Sequence, residues 1–471
     1  MERIETDICV IGAGSGGLTV ASGCAQMGAR VVLIEKGEMG GDCLNRGCVP
    51  SKALIALASQ AQTIRSGAPG IAGSAPQVDY AAAMEHVQSV ITRIAPDDSQ
   101  ERFEGLGVRV IREAARFTGE DEVEAGPYRI KAKRIVLATG SRPLVPPIEG
   151  LEAVPYLTNE TLWDLREAPH HLLIVGGGPI GIEMAQAHRR LGCEVTVIDG
   201  AKAMAKDDPK LAAVVLQALR DEGVRIVEDA KVTRVEGTQG AITVQTSLGA
   251  FEGSHLLVAV GREVVKEGLD LEAGKVAAEG RGIDVDDSLR STSNPRVYAI
   301  GDAAGGLMFT HVAGYHGGAV TRALALGLPS KVKDGHIPHV TYTDPELAQV
   351  GLTEEEARKR HGDKLTVIRV PMEQNDRARA EGRTEGMMKL MVVRGRCVGA
   401  GIVGPHAGEL IGMWSLAVSA GTKLTKISGT VLPYPTLGEI GKKAAGNYFS
   451  PKLFGNRWVK AAVRTVQRRR S

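Results

Sequence analysis

Residues 7–17 read DICVIGAGSGG: a short apolar run closes on a glycine turn and opens an alanine-rich helical stretch. That order is strand, phosphate loop, helix. Gly12 makes the tight turn, Gly14 leaves room for a pyrophosphate to approach the backbone, Gly17 allows close helix packing, and the helix N-terminus offers N–H groups to an anion. A second apolar run, Val31–Ile34, ends in Glu35, at the distance where a carboxylate accepts both ribose hydroxyls. The pattern then repeats. HLLIVGGGPIG (171–181) sets Gly176, Gly178 and Gly181 in the same register, and Glu194–Ile198 ends in Asp199. An acid there hydrogen-bonds a free 2′-hydroxyl and repels a 2′-phosphate, so NADH is favoured over NADPH. Lys202 and Lys206 lie just beyond; they are able to neutralise a phosphate but read as solvated loop lysines. Arg134–Gly140 and Leu256–Gly261 echo each other as strand and glycine turn, which points to two related nucleotide domains.

Between the two loops lies GGDCLNRGCVPSK, residues 40–52. Cys43 and Cys48 are five apart, and five residues of regular helix rise about 7.5 Å, beyond the roughly 7 Å Cα limit for a disulfide. A redox-active pair at this spacing needs a distorted backbone. Gly47 permits the distortion, and Pro50 suits the first turn of a helix running on through Ser51 and Lys52. Cys48 then stands beside a helix N-terminus, whose partial positive charge favours the thiolate. Two buried cysteines, or half of a zinc site, are the other readings. Zinc would ask for shorter spacings and a second Cys or His pair, so no metal site is expected. Cys9, Cys24, Cys193 and Cys397 stand in apolar contexts or alone and read as packing residues.

A chain of 471 residues has room for about three domains. No apolar run approaches the ~18 residues of a membrane span, and no basic leader precedes the first strand, so a cytoplasmic location is expected. Six cysteines are too few for a secreted disulfide scaffold of this length. A net charge of +2, dispersed except in the last residues, gives nucleic-acid binding little support. From about Ile337 the glycine fingerprints stop. Glu354–Arg360 reads as helix, and Leu365–Val370 and Met387–Val393 alternate like an exposed antiparallel sheet.

Two dinucleotide fingerprints flanking a CxxxxC segment, followed in order by VYAIGD (297–302) and PYPTLGE (433–439), resemble the flavin-dependent pyridine-nucleotide disulfide reductases. Lipoamide dehydrogenase, glutathione reductase and mercuric reductase belong to that family. The resemblance spans nearly the whole chain. It implies an α/β fold of two Rossmann-like dinucleotide-binding domains plus a C-terminal α+β dimerisation domain. The implied boundaries are 1–148 with 278–335 for FAD, 149–277 for NAD(P), 336–446 for the dimer interface and 447–471 for a basic tail. FAD would be held by Gly12, Gly14, Gly17, Glu35, Lys52, Thr139, Gly140, Asp302 and His311. The nicotinamide cofactor would be held by Gly176, Gly178, Gly181, Glu183, Asp199 and Gly261, and the molecule would be a homodimer. The implied chemistry is a relay from NAD(P)H to FAD, to the Cys43–Cys48 disulfide, to a small-molecule oxidant. By family position Cys48 lies against the flavin, Cys43 attacks substrate, and Lys52 pairs with Glu183 near flavin N5.

The chain departs from the family at residue 434. Lipoamide dehydrogenase and glutathione reductase carry a histidine immediately before Pro-Thr, oriented by a downstream glutamate; here Tyr434 stands in its place while Glu439 remains. A phenol near 10 would need a shift of about three units, or about 4 kcal/mol, to shuttle protons at neutral pH. Tyr434 therefore reads as a hydrogen-bond donor to a thiolate or a substrate oxyanion. This tells against dihydrolipoamide or glutathione turnover and resembles the mercuric reductase branch, where a tyrosine holds this position. Yet the run RTVQRRRS lacks the cysteine pair with which those enzymes hand over metal. The expected acceptor is a small oxidant needing little base help, such as a reactive sulfur species, a quinone or a metal ion. Dihydrolipoamide dehydrogenase, mercuric reductase and a membrane-associated redox sensor are the competing functions. Gly261–Val264 also lacks the Pro-Asn that often follows this Gly-Arg, a change with no functional reading in the sequence. In the tail, Val459, Val463 and Val466 make an apolar stripe and Arg457, Lys460, Arg464 and Arg468 a basic one. Such a helix makes weak contact with an anionic membrane surface or packs its valines on the partner subunit.

Overall fold

The computed structural model describes residues 1–470, which divide into two compact units: residues 1–200 with 229–334, and residues 201–228 with 335 onward. The first unit is built on a parallel sheet whose strands run in the order Val108–Ile111, Val31–Ile34, Glu2–Ile11, Tyr128–Leu137, Val297–Ala299. Val31–Ile34 is buried along its whole length, and Glu2–Ile11 is buried from Ile8 onward, as strands covered on both faces must be. In register, Ile11 lies beside Ile34 and Leu137, and Ala299 beside Leu137. The four turns that follow, Gly12, Glu35, Thr139–Gly140 and Gly301–Asp302, therefore gather at one carboxyl edge of the sheet, where ligands bind in open α/β folds.

The same plan recurs within this unit. His171–Val175 lies between Glu194–Ile198 and His255–Val258, all parallel. A three-stranded antiparallel sheet, Val232–Thr238, Ala241–Thr246 and Gly249–Gly253, accompanies it. Two connecting strands, Ser141–Pro143 and Arg262–Val264, pair antiparallel. The connection that leaves the first nucleotide motif thus forms a short ribbon with the corresponding connection of the second.

The second unit holds a five-stranded antiparallel sheet in the order Pro338–Thr341, Glu346–Gly351, Arg396–Gly404, Met387–Val393, Leu365–Pro371. Thr353 and Glu356 form a capping box that starts the helix Glu354–His361. The sequence suggests an exposed sheet, but Met387–Val393 is buried along nearly its whole length. Met388, Leu390 and Val392 pack with Ile411, Trp414 and Ile440 of two helices. On the opposite face Lys389 is buried with Asp208 and Glu354, each 2.5 Å from its Nζ. Helices covering both faces make an amphipathic-looking strand a central one.

Candidate active site around the Cys43–Cys48 pair

The glycine loops are shaped for dinucleotides by contacts that only glycine survives. Gly12 sits at φ +107°, and a Cβ there would stand 2.3 Å from the Ala138 carbonyl oxygen. A Cβ on Gly17 would stand 1.9 Å from the Gly12 oxygen. Gly14 is the extended N-cap of the helix Ser15–Gln26, and no side chain caps that terminus. The Glu35 carboxylate accepts from the Ala13 N–H at 2.6 Å and from the Gly37 N–H at 2.7 Å. The second loop repeats each feature. Gly176 has φ +115°, a Cβ on Gly181 would stand 2.0 Å from the Gly176 oxygen, and Asp199 accepts from the Gly177 N–H at 2.6 Å. Both loops therefore fit a bound dinucleotide.

The cysteine segment is broken as its spacing requires. A helix of five residues, Gly41–Asn45, carries Cys43; the chain leaves helical geometry at Arg46 and Gly47; a second helix, Cys48–Ser66, then begins on Cys48 itself. Pro50 lies in its first turn. Cys48 Sγ lies 3.3 Å from Thr310 Oγ1. Interaction with the Cys43 thiol, helped by Thr310 and the Lys52 charge, brings Cys48 down to about 6 against the opposing effects of burial and Asp42. Holding the proton for its neighbour, together with burial, pushes Cys43 up. These effects favour the thiolate on Cys48 over Cys43. Cys9, Cys24, Cys193 and Cys397 are buried, and burial pushes all four thiols up.

Lys52 Nζ donates to Glu183 Oε2 at 2.8 Å, joining the cysteine helix to the helix Pro179–Arg190. Asp302 and Thr139 lie at the sheet edge. Ser141 donates to Asp302 Oδ2 at 2.5 Å, and Thr139 donates to the Val265 carbonyl at 2.9 Å. Burial raises the Asp302 carboxyl, opposed by the Ser141 bond and Arg262. Gly140 and Gly261 turn at positive φ. His311 is exposed and stacks on Phe309. The neighbouring His316 is buried instead: its Nδ1 accepts from the Gly301 N–H at 3.2 Å and its Nε2 has no partner among the described residues.

Sequence reading missed a group of residues that the fold brings to the cysteines. Arg262 donates to Asp42, next to Cys43, at 3.1 Å, and to Ser141 Oγ at 2.7 Å. Asn159 also donates to Asp42 at 3.1 Å, and Trp163 donates to the Arg46 carbonyl at 2.8 Å. Arg262 belongs to the Gly-Arg whose missing Pro-Asn had no reading, and only the tertiary fold shows its partner.

In the second unit Tyr434 is 71% exposed and donates to Asp376 Oδ2 at 3.3 Å. The Asp376 charge and that hydrogen bond push the phenol up, away from the range of a base. Glu439 accepts from the Thr436 N–H at 3.4 Å rather than from the Tyr434 hydroxyl. Lys202 and Lys206 are exposed in this unit. Among the described residues no cluster of His, Cys, Asp and Glu is arranged to hold a metal ion, and no helix is long and apolar enough to cross a membrane.

Repeated dinucleotide loops on parallel sheets, with a reactive cysteine pair beside the first, define a nucleotide-dependent thiol–disulfide oxidoreductase. Residues 6–317 match the family described as pyridine nucleotide-disulphide oxidoreductase and residues 337–445 its dimerisation domain, so the chain belongs to that family. It is 33% identical to a mercuric reductase from Bacillus cereus, covering 92% of this chain and 70% of that protein. It is 34% identical to a dihydrolipoyl dehydrogenase from Geobacillus stearothermophilus, covering 94% and 96%. Among solved structures it resembles the HOCl-induced flavoprotein disulfide reductase RclA from Escherichia coli, in its Cu(II) complex, with TM-score 0.84 and 28% identity over 93% of this chain and 99% of that one. The protein is thus a flavoprotein oxidoreductase with FAD as cofactor, and its dimerisation domain supports a homodimer.

Proposed function

We propose that the protein is an NAD(P)H-dependent FAD disulfide oxidoreductase that reduces a small oxidant through Cys43. One observation carries this reading. Cys43, and not Cys48, lines a cavity of about 380 Å³, together with Ser15, Ser22, Gly40 and Thr310. That is the size of a small-molecule pocket, too small for a folded partner to enter. The two sulfurs then divide the work: Cys48 holds the charge and Cys43 meets the oxidant.

The FAD domain comprises residues 1–148 and 278–335 in this reading, the NAD(P) domain 149–277, the dimer interface 336–446 and the tail 447–471. The first glycine loop, Glu35, Thr139, Gly140, Asp302, Lys52 and His311 hold FAD, which when bound carries electrons between nicotinamide and the cysteine pair. The second loop with Glu183, Asp199 and Gly261 takes the nicotinamide cofactor, and NADH is preferred because Asp199 leaves no place for a 2′-phosphate. The Asp376-bound phenol of Tyr434 serves as a hydrogen-bond donor, which favours oxidants needing little proton transfer: reactive sulfur species, quinones or metal ions. RclA, solved as a Cu(II) complex, keeps a metal ion within that class. Location follows as cytoplasmic, with the tail as the segment suited to a membrane surface.

Steady-state NADH and NADPH oxidation by the purified holoenzyme, across a panel of disulfides, polysulfides, quinones and metal ions, tests this. Turnover is expected with at least one small oxidant, with kcat/KM higher for NADH. Robust NADH–lipoamide turnover with Tyr434 intact would overturn it in favour of a dihydrolipoamide dehydrogenase.

A further inference from the structure

The cavity that Cys43 lines contains one carboxyl group, Asp98, and one cation, Arg102, among its lining residues. Asp98 closes the short turn Ala95–Asp98 that continues the helix Tyr80–Ile94. Its Oδ2 lies 3.1 Å from the point where a Cβ on Gly40 would stand, three residues before Cys43. The same Cβ would meet the Leu44 side chain at 2.4 Å, so only glycine lets this carboxyl lie against the cysteine loop. No described residue donates a hydrogen bond to the carboxylate, and burial, with the nearby Asp97, raises its affinity for a proton while Arg102 opposes. The charged groups acting on it are Arg102 and Asp97, and Cys43 is the titratable group that lines the same cavity.

We propose that Asp98 is the acid/base that serves Cys43, a proton carrier supplied from within the chain's own oxidant pocket. The inference rests on the reading of Cys43 as the attacking sulfur. With the pair in its dithiol form and a small disulfide as oxidant, Asp98 takes the Cys43 proton and Cys43 attacks one oxidant sulfur. A mixed disulfide forms and the oxidant S–S bond breaks. The departing thiolate takes the proton back from Asp98. The Cys48 thiolate then attacks Cys43, closing the Cys43–Cys48 disulfide and expelling the second thiolate. The cysteine pair loses two electrons and the oxidant gains two. Arg102 supplies positive charge where the departing thiolate develops.

The sign of one substitution separates this role from that of a bystander. A carboxylate that only sits nearby disfavours the Cys43 thiolate, so removing it should speed the reaction; removing a base should slow it. The experiment uses pre-reduced holoenzyme and hydroxyethyl disulfide, following loss of long-wavelength absorbance between pH 6.5 and 9. D98N is expected to slow oxidation by about tenfold or more, with the loss shrinking as pH rises, since general acid–base catalysis commonly contributes ~10² or more. Added acetate should restore the rate of D98A, and reduction of either variant by NADH should keep the wild-type rate. An unchanged or faster D98N, or a slowed D98A that acetate does not rescue, would overturn the proposal. If wild-type dithiol enzyme reacts with no small oxidant at all, the parent reading fails instead.

Discussion

At the scale of the residue, the cysteine pair is asymmetric because its surroundings are. Cys48 has the helix start, Thr310 and Lys52; Cys43 has the proton and the cavity. The two-electron-reduced holoenzyme should therefore show a long-wavelength thiolate–flavin band that holds above pH 6 and disappears with a midpoint at about 6 as Cys48 takes up a proton. Lys52→Met removes a cation that favours the thiolate and should move the midpoint upward. Asp42→Asn removes a carboxylate that disfavours it and should move the midpoint downward, while freeing Arg262 adds to the effect. A midpoint indifferent to both changes would show that Lys52 and Asp42 do not reach the sulfur. The cysteines and Lys52 were legible because motif and chemistry lie within ten residues of chain. Asp42 lies in the same stretch, yet its meaning comes from Arg262, 220 residues away, and no periodicity or spacing encodes that meeting.

At the scale of the element, the two glycine loops make the clearest link between sequence and structure, because steric exclusion is a local property. Their glycines are not equivalent. Gly176 needs positive φ, and a Cβ would stand 2.4 Å from the Ala259 carbonyl oxygen; Gly178 has nothing within 4 Å of that position. Gly176→Ala should therefore cost fold stability, about 1–3 kcal/mol by denaturant titration. Gly178→Ala should leave the denaturation midpoint unchanged and raise KM for NADH roughly tenfold, the factor that about 1.4 kcal/mol sets, because the added methyl occupies space a pyrophosphate needs. Equal losses of stability in the two variants would count against separate roles. The strand Met387–Val393 shows where local reading stops: its alternation is real, but what covers each face is decided by helices distant in sequence.

At the scale of the whole molecule, charge is segregated along the chain. Beyond Glu439 there are nine Lys and Arg and no Asp or Glu, while the chain as a whole is only +2, so the preceding residues carry net −7. The helix Arg457–Arg470 concentrates that charge. Arg457, Lys460, Arg464 and Arg468 share one face, and Val459, Val463 and Val466 line another, the last two 53% and 48% exposed. Trp458 is 76% exposed and Phe454, just before the helix, 71%. An open apolar stripe edged by an aromatic ring and backed by cations is the composition of a helix suited to an anionic lipid interface. Full-length holoenzyme should therefore sediment with vesicles containing anionic lipid several-fold more than with neutral vesicles. The difference should fall as salt screens the arginines, and a protein truncated after Pro451 should lose it. Equal partitioning of the two proteins, with the truncated one alone dissociating to monomers, would assign the valine stripe to the partner subunit instead. That pairing of outcomes decides whether the tail takes the flavoprotein to a surface or fastens its two halves together.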